Sequence, residues 1–460
     1  MIAESAASET AHKQVLALTS REPRGYIAVV KWRNQLLALF CLALFVGFGV
    51  FYFRNWVVQK PFGIVLFIGE GLTAERLTAA RIYNGGADTP LAIDSLGYTA
   101  QLKNYSADFA TPDQAAAATA LATGVKVNNG AIARDETGKV LINLMELARE
   151  SGRTTGLVTN GSLTAPTAAA FYAHSAEATD TESLAHELVE NAHIDVVLGG
   201  GSADFLPPSK GGRRGDERDL LLDARRAGYD LVRTRAELDA IPRWRRPKLL
   251  GVFAPAEMAF ADEMERRSEQ PSLPEMVRRG IELLQFNPGG YLLVVDVGLM
   301  RSAAQRNSGE RTLIETLELD RAVSVALRYT GTKTTTIVCG DVAIGGISLN
   351  GFPFRQDRGV AMLGVNSTGD PWLTWATGPK GVASYGAARI EATNEHSETR
   401  RESPENPLSP AENPEPAAVF AETALNSASD VLVFAEGLHG DTLHGTLEST
   451  AVFDLIRDNL

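Results

Sequence analysis

The sequence predicts an α/β domain with a large, mostly parallel central sheet between helices, preceded by one transmembrane helix. Three features carry that expectation: an uncharged apolar stretch near the start, short aliphatic runs recurring along the remainder, and helix-like segments between those runs. With 44% hydrophobic and 22% charged residues the chain lies in the globular range, which excludes disorder as its general state. Its 460 residues suffice for two to four domains, or one large domain with insertions. The two cysteines, Cys41 and Cys339, can build neither a disulfide framework nor a Cys-rich zinc module.

Charge divides the chain in two. The whole carries 44 Lys+Arg against 56 Asp+Glu, a net charge of -12 that argues against nucleic acid as a partner. Residues 1–60 hold seven Lys/Arg and three Glu, or +4, which leaves 37 against 53, or -16, for residues 61–460. Between these regimes, residues 34–53 are 20 positions without a charge, and residues 36–53 (LLALFCLALFVGFGVFYF) are almost wholly apolar. At 1.5 Å rise per residue the apolar stretch makes about 27–30 Å of helix, the thickness of a bilayer's hydrocarbon core. Trp32 on one flank and Tyr52 and Trp56 on the other are placed like interfacial aromatics. Arg21, Arg24, Lys31 and Arg33 crowd the N-terminal flank, whereas only Arg54 and Lys60 follow closely, so the N-terminus is expected in the cytoplasm. The flank FYFRNWVVQK offers no small-residue cleavage site, and residues 35–56 therefore read as an uncleaved signal anchor. Residues 1–34 become a short basic cytoplasmic stem, and residues 61–460 an extracytoplasmic domain, periplasmic if the source is bacterial.

Beyond the anchor, Gly63–Gly69 (GIVLFIG) is an aliphatic run closed by glycine, as in a buried strand entering a loop. Comparable runs follow at residues 154–159 (TTGLVT), 194–198 (IDVVL), Tyr291–Val297 (YLLVVDV) and 334–339 (TTTIVC). Helical segments lie between them at residues 141–151, 181–192, 273–286 and 313–329. Strands alternating with helices predict a largely parallel sheet, whose site forms at the carboxyl ends of the strands. Residues 394–416 differ in kind, with five Pro and six Glu and almost nothing apolar, and read as a disordered insertion.

Several segments share one likeness. Residues 111–132 (TPDQAAAATALATGVKVNNGAI) closely resemble the nucleophile segment of the alkaline phosphatase family, an Asp-Ser-Ala followed by an alanine-rich helix and a Thr-Gly-x-Lys turn. The similarity extends to IGEG (68–71), LTAPTAAAFYAH (163–174), DVVLGGGSADF (195–205), CGDVAIGGISLNG (339–351), WATGPKG (375–381) and DVLVFAEG (430–437), in the family's order. The resemblance implies an α/β/α sandwich over residues 61–460. It also implies a chemistry in which a serine alkoxide attacks phosphorus, assisted by two Zn²⁺ ions, an arginine phosphate clamp and a nearby Mg²⁺ site.

Carried over position by position, that machinery is mostly replaced. The nucleophile position falls on Gln114, whose carboxamide has no oxygen that a metal could activate as an alkoxide. The phosphate-clamp position falls on Ala178. Three candidates remain as vestigial metal ligands, Glu70, Thr167 and Asp341, and the lost ligand positions fall on Ala165, Val295, Met300, Ala304, Val342 and Asn426. Asp296 stands one place from Val295. No His occupies a ligand position, so no resident cofactor is expected beyond weakly held Mg²⁺ or Ca²⁺ on oxygen ligands.

The remaining signals have plainer readings. Ser106 and Thr111 precede Gln114 but suit turn hydrogen bonds better than nucleophilic attack. His186, Glu190 and His193 would share a helix face that suits a solvated polar surface, without completing a metalloprotease motif. Gly199–Gly201 suggests a close backbone turn, and His174 and Asp113 suggest a helix-end anchor and a local hydrogen-bond acceptor. The expectation is a membrane-anchored pseudo-phosphatase with a scaffold, binding or regulatory role. Its alternative is an active metal-dependent phosphomonoesterase or phosphodiesterase with a rearranged site. The expected partners are the membrane and, by family likeness, a second copy or a related phosphatase in a dimer.

Overall fold

The computed structural model describes residues 24–52, 60–244, 247–331, 333–351, 363, 371–382 and 415–460. Two compact units emerge, Met1–Gln59 and Lys60–Leu460. The first contains the helix Arg24–Tyr52, within which Trp32–Val50 is strongly apolar and exposed. By length and composition this helix could cross a membrane.

The second unit begins with the expected strand β1 (Gly63–Gly69), followed by β2 (Tyr98–Lys103), β3 (Thr154–Ser162), β4 (Val196–Gly200) and β5 (Asp230–Val232). Next come β6 (Leu249–Val252), β7 (Tyr291–Val297), β8 (Thr334–Gly340), β9 (Ala343–Ile344) and β10 (Ile347–Leu349). The chain ends with β11 (Leu373–Gly378), β12 (Ala417–Phe420), β13 (Asn426–Ser427), β14 (Val431–Glu436) and β15 (Gly445–Glu448). Ten of these form one sheet in the order β15-β2-β14-β8-β1-β7-β3-β4-β6-β5. Every neighbouring pair is parallel except the two made by β14.

Strands β1, β7 and β8 are buried along their whole length, as a parallel sheet covered on both faces requires. Side chains alternate between the two layers. Ile64, Leu66, Leu292 and Val294 enter one core, and Val65, Phe67, Leu293 and Val295 enter the other. The longest helices packed on the domain, Leu273–Leu284 and Gly309–Thr330, both bury faces in the second layer. Leu273–Leu284 starts at a capping box between Ser272 and Glu275.

Boundaries moved where the sequence signal was weak. The run at 154–159 continues to Ser162, and the run at 194–198 is shifted to Val196–Gly200. Residues 394–414 of the expected insertion lie outside the described residues. Glu415 and Pro416, at its end, are packed: the Glu415 carboxylate accepts from Gly309 N–H, and Pro416 C=O accepts from Trp375 N–H at 2.9 Å.

Candidate functional site

The central strands β8, β1, β7 and β3 lie side by side, so their carboxyl ends converge. Glu70 follows β1 directly, Asp341 follows β8, and Asp296 is the penultimate residue of β7. The register sets Ile68 opposite both Asp296 and Cys339. Because side chains alternate, Asp296 shares a face with Ile68, while Val295 points into the opposite layer with Phe67. Val295, Met300 and Ala304 all enter that apolar core. The side chains that reach the Glu70 site are those one place on, Asp296 and Arg301.

Glu70, Asp296 and Thr167 have no measurable exposure, and Asp341 is 3% exposed. Burial raises the Glu70 carboxyl above its ordinary range, against the opposing pull of the Arg301 guanidinium. Asp296 is pushed well above the usual carboxylate range by burial and by the neighbouring Glu70. Burial, with the charge of Glu70, lifts Asp341 to about 7. Neighbouring buried carboxyls cannot both ionise cheaply, and this mutual repulsion adds to the burial that raises Asp296. Glu70 Oε1 and Oε2, Asp296 Oδ1, Thr167 Oγ1 and Asp341 Oδ2 have no hydrogen-bond partner. Asp296 Oδ2 accepts from Thr159 Oγ1 at 2.8 Å, and Asp341 Oδ1 accepts from Gly71 N–H at 3.0 Å.

Cations close the cluster. Arg301 Nη1 lies 3.3 Å from Glu70 Oε2, and its Nη2 donates to Glu257 Oε1 at 3.2 Å. Although burial works against its charge, Glu70, Glu257 and Asp296 hold this guanidinium protonated beyond the ordinary arginine range. Arg76, 1% exposed, donates from Nη1 to the Glu70 carbonyl at 2.7 Å. Burial lowers its pKa to about 10, offset in part by Asp341 and Glu70. Sequence reasoning missed Arg301, Glu257 and Arg76. The signal for Arg301 was the one-residue offset already visible at Asp296; Glu257 sits in a loop that only the folded chain brings near.

Gln114 is the first residue of the helix Gln114–Thr123, with Asp113 as its cap. Asp113 accepts from Ala116 N–H at 2.8 Å and Gly130 N–H at 2.7 Å, fixing the turn before the helix. Gln114 Nε2 donates to Asn426 Oδ1 at 3.2 Å, and Asn426 Nδ2 donates to the Pro112 carbonyl at 3.0 Å. Two residues at predicted machinery positions thus satisfy each other. Ala178 donates its N–H to the Gly130 carbonyl at 2.8 Å, Ala165 precedes the short helix carrying Thr167, and Val342 is fully buried in the core. None of these three supplies a side chain that could hold phosphate or metal.

The other candidates are tied up locally. Ser106 Oγ donates to Asp108 Oδ1 at 2.9 Å and accepts from Phe109 N–H at 3.0 Å, while the Thr111 carbonyl accepts from Asn129 at 3.1 Å. His186 pairs with Glu190 at 3.0 Å, but the helix ends at Glu190 and His193 adopts φ 51, so the expected three-residue face is not formed. His174 sits between Glu146 (3.4 Å) and Glu187 (3.7 Å), which raise its pKa to about 9. Gly201 takes φ 91, as a tight backbone turn requires.

The donor set does not fit a two-zinc centre. Among the described residues, every candidate ligand around Glu70 is oxygen, no imidazole approaches, and a guanidinium already lies against the carboxylate. The buried oxygens without a hydrogen bond are of the kind that bind hard cations such as Mg²⁺.

A mostly parallel α/β sandwich with acidic residues converging at the ends of its central strands defines a metallohydrolase-type scaffold. Residues 63–460 match the family described as alkaline phosphatase, and the chain belongs to that family. It is 30% identical over 446 residues to the tissue-nonspecific alkaline phosphatase isozyme of Gallus gallus, covering 85% of this chain and 82% of the relative. The alkaline phosphatase of Gadus morhua is 27% identical over 449 residues, covering 86% and 90%. Among solved structures, Thermus thermophilus alkaline phosphatase superposes with a TM-score of 0.68 at 23% identity, covering 87% of this chain and 92% of that one. The enzyme from the Antarctic bacterium TAB5 gives 0.67 at 19% identity, covering 87% and 98%.

Proposed function

We propose that this protein is a catalytically inactive member of its family, a pseudo-phosphatase anchored by its N-terminal helix with a scaffold, binding or regulatory role outside the cytoplasm. The observation that carries this reading is the Gln114–Asn426 amide pair. Gln114 stands at the nucleophile position and is hydrogen-bonded to a residue at a lost ligand position. Neither amide offers an alkoxide or an imidazole, and the phosphate-clamp position is Ala178, so attack, charge stabilisation and substrate binding are all without their groups. A one-residue shift, which strand parity supports, would add Asp296 to the vestigial ligands Glu70, Thr167 and Asp341 and match Arg301 to a lost ligand position. The apolar helix supports the anchor, and the basic residues before it support a cytoplasmic N-terminus.

The test is hydrolysis of p-nitrophenyl phosphate and bis-p-nitrophenyl phosphate by the full-length protein with added Zn²⁺, Mg²⁺ or Ca²⁺. The expected rate equals that of the Glu70→Ala variant. A turnover that Glu70→Ala abolishes would establish the alternative, an active phosphomonoesterase or phosphodiesterase with a rearranged site.

A further inference from the structure

Arg301 is held by more than chance proximity. Leu299 N–H donates to Asn160 Oδ1 at 3.2 Å, fixing the start of the helix Leu299–Gln305 against the end of β3. Ser302 Oγ lies 2.7 Å from both carboxylate oxygens of Glu257, so it donates to that carboxylate and pins it where Arg301 Nη2 can also reach it. The guanidinium is thereby stretched between Glu257, 28% exposed, and Glu70, fully buried, while keeping 12% exposure of its own.

A buried carboxylate without a counter-charge is costly, and a cation carried on the chain meets that need without capturing an ion from solvent. We infer that Arg301 is the resident cation of this acidic cluster and keeps a latent divalent-cation site closed. The inference rests on the non-catalytic reading above and names the device that replaces the metal. The oxygens that an ion would take, Glu70 Oε1 and Oε2, Asp296 Oδ1 and Thr167 Oγ1, are buried and accept no hydrogen bond, and Glu70 Oε2 has Arg301 as its ion-pair partner. Being all oxygen, they select a hard ion of the Mg²⁺, Mn²⁺ or Ca²⁺ class over zinc. Removing the guanidinium leaves Glu70 without its ion pair and opens the position to such an ion.

The experiment uses full-length protein in detergent, stripped with chelator, and follows free Mn²⁺ by electron paramagnetic resonance. Wild type and the charge-preserving Arg301→Lys should show no saturable uptake below about 1 mM. Arg301→Ala and Arg301→Gln should each bind one equivalent at least ~10-fold more tightly, and the gain should vanish when Glu70→Gln is added. Were the neutral variants unfolded in metal-free buffer, Mn²⁺ should restore their melting transition. Stoichiometric Mn²⁺ uptake by wild type at the affinity of Arg301→Ala would overturn the inference. So would uptake that survives Glu70→Gln, or unfolded variants that Mn²⁺ does not rescue. Mn²⁺ uptake by a wild type that remains inert toward phosphate esters removes the Arg301 assignment and leaves the non-catalytic reading standing. Hydrolysis by a chain that takes up no Mn²⁺ does the reverse.

Discussion

Gln114 Nε2 donates to Asn426 Oδ1 at 3.2 Å, joining two residues 312 positions apart. The pair brings the start of an alanine-rich helix against the short strand β13, and each amide answers the other. A serine at position 114 would lose that partner and find neither an imidazole nor a guanidinium in the clamp position. Gln114→Ser should therefore leave phosphate-ester hydrolysis within about threefold of the wild-type background. A rise of about 100-fold or more, measured with p-nitrophenyl phosphate, would show that the rest of the machinery survives in another form.

Arg153 ties the beginning of the domain to its end. Buried to 6% exposure, it donates to the carbonyls of Pro61 (2.9 Å), Phe62 (3.0 Å) and Asn459 (2.9 Å). Arg153→Met removes the donors and strands three carbonyls. It should cost about 2–4 kcal/mol in denaturant unfolding. A loss under about 0.5 kcal/mol would mean that water replaces the guanidinium at no cost.

His174 gives the domain a pH-dependent contribution. Glu146 and Glu187 raise its pKa from 6.5 to about 9 despite burial. Since the folded state holds this proton more tightly, the contribution is fully present below pH 6.5 and fades as pH rises through about 9. Partial exposure screens the pair, so roughly 1–2 kcal/mol is expected. His174→Gln should therefore be less stable than wild type at pH 6 by about that amount, and the two should converge by about pH 10 in urea titrations. A gap that stays constant with pH would assign the role of His174 to packing alone.

Gly124 closes the helix Gln114–Thr123 in the left-handed region, φ 71, with its N–H donating to the Ala120 carbonyl. A Cβ there would sit 2.4 Å from Phe453 Cδ1. At Gly130, φ 86, a Cβ would meet nothing within 4 Å. Gly124→Ala should thus cost about 2–4 kcal/mol and Gly130→Ala only about 1 kcal/mol, the backbone strain alone. Equal costs measured by thermal unfolding would show that Phe453 moves aside freely.

The parallel heart of the sheet was legible because β1, β7 and β8 are buried on both faces and must read as continuous aliphatic runs. Strands β2 and β15, at the partly exposed edge, carry mixed burial and gave no such run. In the site, Glu70, Thr167 and Asp341 were legible because each follows a strand in a local motif. Arg301 was not, because the preceding stretch has no motif to fix its register, and a one-residue slip exchanges the core face for the site face. Glu257 was invisible for another reason: its meeting with Arg301 is made by loop packing, which periodicity does not encode.

The most direct measurement is the metal content of the full-length protein, expressed with zinc and magnesium in the medium and purified without chelator. A residual site closed by Arg301, with Gln114 paired to Asn426, predicts less than about 0.1 zinc per chain by elemental mass spectrometry. Two tightly held zinc ions per chain, retained through dialysis, would contradict it.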